Sequence, residues 1–414
     1  MIQFLGRNKL FRRYWFGTWF SELGDWIRNM AVMYLVLNLS NHSPIAMSGV
    51  LFAEYVPIFV LGPIVGVMAD RWNRKKTIVG ANMCRALMMG VFTLAYMVHA
   101  VWLLYLAAFL SSICTLFFRA PGSSFTMQFV PEEDRKTAAS LRQLSLSAML
   151  MLGPAVGTSL YMFLGPGWTF LLVFVLFMIS AGITSSIRVT ATEEQGEEEK
   201  TGLRSVWEDL TNGMRYAFHH PTVRPILFGA AFVGFGAGMI DVLEIFIVTD
   251  FLGLPETMMA VLVSVQGISM LVCTLLVQRM KLSFDKFVSY GMIVMGIGLG
   301  SMVLYPHLLA TAAGLVVFSL GQIALNIGMA TLMQTKVDYA YQGRVSMTFQ
   351  TTLIGLMTIA LVSTGWIYAV LPIRLLVVCG GLFIVLGGCI CYMMFRGKAA
   401  AAAPSMEKGF ESHV

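Results

Sequence analysis

Residues 66–76 read Gly66-Val67-Met68-Ala69-Asp70-Arg71-Trp72-Asn73-Arg74-Lys75-Lys76. The stretch joins two long apolar segments and crowds one acid and four cations into positions 70–76. A single charge at the centre of a bilayer costs about 2.5–3.5 kcal/mol. The cluster therefore lies outside the hydrocarbon, as a short basic turn between two membrane helices. Lys and Arg favour the cytoplasmic side of membrane proteins, which puts this turn inside the cell.

The rest of the chain agrees. Of its 414 residues 57% are hydrophobic and only 12% charged, about half the charged share of a soluble domain. The apolar residues come in blocks of about 20–25, long enough to cross ~30 Å of hydrocarbon as helices. The ten-residue alternation of an outer-membrane barrel is missing. Twelve spans are expected, at 14–38, 47–69, 77–98, 102–121, 140–163, 167–187, 223–251, 257–278, 286–305, 308–333, 345–368 and 373–395. The expected fold class is all-α integral membrane, with twelve transmembrane helices in two six-helix bundles.

Most of the Lys and Arg fall in segments that share a side with the N-terminus, and Arg374 alone approaches a loop on the other. Both termini are thus expected in the cytoplasm, in a multi-pass protein of the cell membrane. This placement accounts for the net charge of +6 and leaves nothing for nucleic acid. The six cysteines all sit inside apolar spans, without metal-ligand or disulfide spacing, and read as small packing residues. Arg12-Arg13 before a long span resembles a leader, but the span is too long and lacks a small-residue cleavage site.

One long polar insertion, 188–222, separates 1–187 from 223–395, and 396–414 forms a tail. It opens on the acidic run Glu193-Glu194-Gln195-Gly196-Glu197-Glu198-Glu199. Leu203, Val206, Trp207, Leu210, Met214 and Phe218 then recur at helical spacing, as in an amphipathic helix lying on the cytoplasmic face. His219 and His220 read as interfacial residues. The two halves share faint self-similarity: Phe16-Gly17-x-x-Phe20 against Phe228-Gly229-x-x-Phe232, and Thr126-Met127-Gln128 with Arg142 against Leu332-Met333-Gln334 with Arg344.

Several ionisable residues lie within spans, where such groups face a cavity or one another. Glu22, Asp25 and Arg28 share one face of the first helix by their spacing. Glu54, Arg85 and Arg119 follow in the next three spans, and Asp241 and Glu244 in the seventh. Asp25 and Glu54 are candidate protonation sites, with Glu22 beside them and Arg28 and Arg119 as tuning cations; a fixed Asp25–Arg28 ion pair is the competing reading. Trp19 and Trp26, with Asp241 and Glu244, are candidates to line a substrate cavity, although aromatic residues also serve as packing anchors. Gly153-Pro154-Ala155-Val156-Gly157 marks a bend or a close helix contact in the fifth span.

Gly66-x-x-x-Asp70-Arg71-x-x-Arg74-Lys75 between the second and third spans resembles the signature loop of the major facilitator superfamily. Glu22-Leu-Gly-Asp25-Trp26, Phe118-Arg119-Ala-Pro121, Gly153-Pro154 and Trp207-Glu-Asp209 narrow the resemblance to its drug:proton antiporters of the macrolide-efflux and enterobactin-exporter type. The match runs to about residue 225. It implies a charged latch at Gly66, Asp70, Arg71, Arg74 and Lys75, an antiporter-motif kink at Gly153, Pro154 and Gly157, and a proton-transfer role for Arg119. The loop departs from the pattern at Asn73, where the family has glycine; Asn also tolerates the left-handed conformation. In the antiporter motif, Met149 and Thr158 replace glycines.

The resemblance implies export of a hydrophobic or amphiphilic small molecule against inward proton flow, by a monomer that works among membrane lipids and binds near the midplane between its bundles. A lipid or lysolipid flippase, or an uncoupled facilitator, is the alternative on the same fold, and a non-transporting receptor or scaffold a remote one. No enzyme is expected: there is no phosphate-binding loop, no nucleophile beside a histidine base and no metal-ligand set. No cofactor is expected either, the proton gradient being the energy source.

Overall fold

The computed structural model describes residues 2–187, 203–337 and 339–402, and every regular element among them is helical. In chain order these are α1 (Ile2–Arg7), α2 (Lys9–Leu39), α3 (Pro44–Arg71), α4 (Arg74–Met97), α5 (Val101–Arg119), α6 (Gly122–Met127), α7 (Arg135–Ser185), α8 (Leu203–His219), α9 (Val223–Phe246), α10 (Met258–Arg279), α11 (Phe284–Ser301), α12 (Leu308–Lys336), α13 (Tyr339–Tyr368) and α14 (Ile373–Ala402). The acidic run 193–199 lies outside the described residues.

Among the described residues, nine segments are long and apolar enough to cross a membrane by length and composition. The other expected spans have local reasons for falling short of that measure. Glu22, Asp25 and Arg28 occupy the middle of α2, and Asp285-Lys286 opens α11. α7 holds two spans in one run. Its division falls at Gly165, with φ 74° and ψ 172°, directly ahead of Pro166; a residue with a Cβ would be strained at that φ. Each expected span therefore coincides with a helix.

Helix starts are set by local chemistry. Asn8 caps α2 by accepting from the Phe11 N–H at 2.9 Å, and Ser43 caps α3 ahead of Pro44. Asn73 corrects the sequence reading: its φ of −61° is not left-handed. Its side chain instead accepts from the Lys76 N–H at 3.0 Å, capping α4. Glycine cannot make that bond, so the departure at this position trades turn freedom for a cap.

The chain forms two compact units, Met1–Val206 with Glu256–Gly267, and Trp207–Pro255 with Ile268–Val414. Glycines in corresponding places show that the two are built alike. Gly17 and Gly24 on α2 admit Ile183 and Phe177 of α7. At the same 212-residue spacing, Gly229 and Gly236 on α9 admit Cys391 and Ile384 of α14. The sequence repeat is thus a repeat of helix–helix contacts. The ionic residues are not repeated: Gly234, Ala237 and Ile240 stand where Glu22, Asp25 and Arg28 stand in the first copy.

The antiporter-motif glycines form a close seam in the first unit. A Cβ on Gly153 would fall on the Trp26 indole, and one on Gly157 would come within 3.1 Å of the Trp26 carbonyl oxygen. α7 runs on through Pro154, and its non-helical dihedrals fall at Gly165. Gly153→Val should therefore destabilise the protein by about 1–3 kcal/mol through overpacking. Gly182→Val, where nothing lies within 4 Å, should leave the thermal unfolding of the detergent-solubilised protein unchanged.

Candidate translocation site

The ionic residues of the first four spans converge inside the first unit. α2 supplies Glu22, Asp25 and Arg28 on one stripe, α3 supplies Glu54, α4 supplies Arg85 and α5 ends on Arg119. The Asp25 carboxylate pairs directly with Arg85. Arg28 lies 3.4 Å from the same oxygen and reaches Glu54 at 3.1 Å, while Arg119 stands 3.9 Å from the other Asp25 oxygen. The fixed Asp25–Arg28 pair read from the sequence is thus one edge of a larger cluster.

Arg85 is the deepest member, with 0% exposure. Its guanidinium lies between the rings of Phe118 and Phe177, at 4.9 and 4.1 Å from their centroids, a cation–π arrangement that partly replaces water. It also donates to Ser21 Oγ at 2.8 Å and to Asn82 Oδ1 at 3.0 Å, and Asn82 Nδ2 donates onward to Ser180 at 2.9 Å. Arg28 donates to Ser111 Oγ at 2.8 Å and to its neighbour Asn29. The cluster is therefore built from α2, α3, α4, α5 and α7 together.

Beside it opens a cavity of about 370 Å³ whose lining includes Tyr14, Trp15, Glu22, Asp25, Phe118, Arg119 and Arg142. Glu22 differs from the other acids here: its Oε2 is buried without a hydrogen-bond partner among the described residues. Arg119 is 66% exposed along its side chain despite its approach to Asp25. The cavity combines aromatic walls with charges of both signs, as suits an amphiphilic guest.

Sequence reasoning placed Asp25, Arg28, Glu54, Glu22 and Arg119 in one site, and the structure brings them together. Arg85 was visible only as a charge in the third span; Asn82 three residues before it is the signal that links it to Ser21 and Asp25. Of the aromatic residues, Trp15 lines this cavity, the Trp15 and Trp19 indoles both donate to Ser145 Oγ, at 2.8 and 2.7 Å, and Trp26 takes the packing role at the Gly153 seam. Asp241 and Glu244 belong to the second unit, half-buried on α9. Thr158, which stands for a motif glycine, shares a 2.9 Å hydrogen bond with Tyr34. Of the latch, the side chains of Gly66, Asp70 and Arg71 lie outside the described residues. Arg74 and Lys75 open α4, where cations oppose the helix dipole; Trp72 stacks on Phe117 of α5 at 5.3 Å.

The model of the Major Facilitator Superfamily matches residues 14–361. The chain belongs to that superfamily. It is 26% identical over 380 residues to YfiS of Bacillus subtilis, an uncharacterized MFS-type transporter, covering 89% of each chain. It is 31% identical over 149 residues to macrolide efflux protein A of Streptococcus pyogenes, covering 36% of each. Among solved structures, it resembles a bacterial homologue of the iron transporter ferroportin in its inward-facing state, with a TM-score of 0.74 and 13% identity over 94% of this chain and 98% of that one. The nucleoside transporter NupG gives a TM-score of 0.73 at 10% identity, over 93% and 100%. At those identities the likeness is one of fold.

For this facilitator the Asp25–Arg85 pair has a measurable signature. Asp25→Asn or Arg85→Met alone should each destabilise by about 3–5 kcal/mol, because each strands a buried charge. The double variant should cost less than the two single losses added together. Thermal unfolding of all four proteins closes the cycle, and additive losses would dissolve the pair.

Proposed function

We propose that this protein is a secondary active transporter of the cell membrane that exports a hydrophobic or amphiphilic small molecule in exchange for protons, by alternating access. The observation that carries the reading is Glu22, an acid with an uncommitted carboxyl oxygen on the wall of an aromatic cavity. Asp25 and Glu54 are engaged by Arg85 and Arg28. Glu22 is thus the proton carrier, and Asp25 and Glu54 hold the scaffold around it. Arg119 spans the boundary between them. Export, rather than uptake, is supported by the similarity to macrolide efflux protein A over 149 residues. Both termini face the cytoplasm in this reading, as the asymmetry of Lys and Arg favours.

Reconstituted vesicles test it. One proton moving down 100 mV supplies about 2.3 kcal/mol, enough for about a 50-fold gradient of a neutral substrate. A panel of macrolides and other amphiphiles should contain compounds that dissipate a preformed pH gradient in the presence of the wild-type protein. Glu22→Gln should abolish both that response and uphill accumulation, while Arg374→Gln, at the start of α14 in the second unit, leaves both intact. Concentrative transport by Glu22→Gln at the wild-type level would overturn the assignment. Equilibration without accumulation by the wild type would favour an uncoupled facilitator.

A further inference from the structure

The linker helix α8 has two faces of different character. Gly213 and Ala217 turn toward α13: a Cβ on Gly213 would meet the Arg344 carbonyl oxygen at 2.7 Å, and Ala217 is buried with Val223, Leu227, Val337 and Val345. Tyr216 stacks on Tyr341 with centroids 4.4 Å apart. This face fastens α8 to the second unit and leaves the other uncovered. On it, Met214 is 42% and Phe218 46% exposed, with Arg215 exposed between them.

The uncovered stripe does not end with α8. Phe218 meets Phe228 of α9 edge to face at 6.3 Å, and Arg224 lies over the Phe228 ring at 6.0 Å. Arg224 and Phe228 are themselves exposed. Met214, Phe218 and Phe228 thus form an exposed apolar stripe, with the Arg224 guanidinium over its Phe228 end and the exposed Arg215 between Met214 and Phe218 in the α8 sequence. Apolar side chains beside arginines at the start of a membrane helix match the boundary between acyl chains and phosphate.

We propose that this surface is a binding site for an anionic phospholipid, the aromatic side chains lying against its acyl chains and Arg215 and Arg224 holding its headgroup phosphate. The site is independent of the translocation site and of the substrate. It attaches α8 to the lipid on one side as Gly213 and Tyr216 attach it to α13 on the other.

Native mass spectrometry of the full chain, released from nanodiscs of mixed phosphatidylglycerol and phosphatidylcholine, tests the proposal. The wild type should retain phosphatidylglycerol preferentially. Each cation near an anionic surface contributes about a fivefold factor, so Arg215→Gln with Arg224→Gln should weaken the preference roughly 25-fold. Arg215→Lys with Arg224→Lys should keep most of it, which separates lost charge from lost folding. Inorganic phosphate added at excess should leave the lipid bound, because the acyl contacts are missing from the free ion. Equal retention of both lipids by the wild type would overturn the proposal, as would an undiminished preference in the glutamine variant or displacement by phosphate. A photo-crosslinking residue at position 214 should capture lipid; capture of polypeptide alone would assign the surface to a protein partner instead.

Discussion

The first unit is organised around a buried ionic contact, that of Asp25 with Arg85. A guanidinium with no exposure is tolerable only if something replaces its water, and here a carboxylate, two aromatic faces, a serine and an asparagine do so. Those partners come from α2, α4, α5 and α7. The requirement therefore determines which helices adjoin in this unit and at what rotation. Ionic and steric demands meet on α2, whose Asp25 faces the cluster while the adjacent Trp26 fills the α7 seam.

The two halves divide the work unevenly. Both keep the glycines that let the sixth and twelfth spans approach the first and seventh. In both, the fifth or eleventh span also comes close to the first or seventh, but the glycines responsible have changed sides: Gly153 and Gly157 lie on α7, whereas Gly234 and Gly238 lie on α9, against α13. A close helix contact needs a small residue on only one partner, so either copy can supply it. The charges carry no such symmetry. The first half carries an arginine–carboxylate cluster on its packing, whereas the acids of α9, Asp241 and Glu244, fall at other positions.

This difference explains how much was legible in the sequence. Span positions followed from hydropathy because a bilayer imposes length and apolarity on every helix. The grouping of Glu22, Asp25 and Arg28 followed from helical periodicity. Arg85 and Asn82 could be placed in a span but not paired, since their partners lie some sixty residues away and no local rule links them. For Trp19 and Trp26 the sequence left packing and cavity lining open, because an indole packs against a glycine, hydrogen-bonds a serine or lines a cavity equally well, and only the facing helix decides. Asn73 looked like a tolerated replacement for a flexible residue; its role as a cap depends on a dihedral angle that sequence does not specify.

The electrical arrangement of the site separates structure from transport. Asp25, Glu54, Arg28 and Arg85 form a set of two acids and two cations, which Arg119 approaches from its exposed side. Neutralising Asp25 would leave the buried Arg85 guanidinium without its carboxylate, a cost borne by the fold. Glu22 stands outside that set, on the cavity wall with Arg119 and Arg142. A proton added there changes the charge that a guest meets without undoing the contacts that hold the helices together. The proposed proton exchange needs one acid whose ionisation is separable from the fold, and in this unit the separation follows from which carboxylates the buried arginines already occupy.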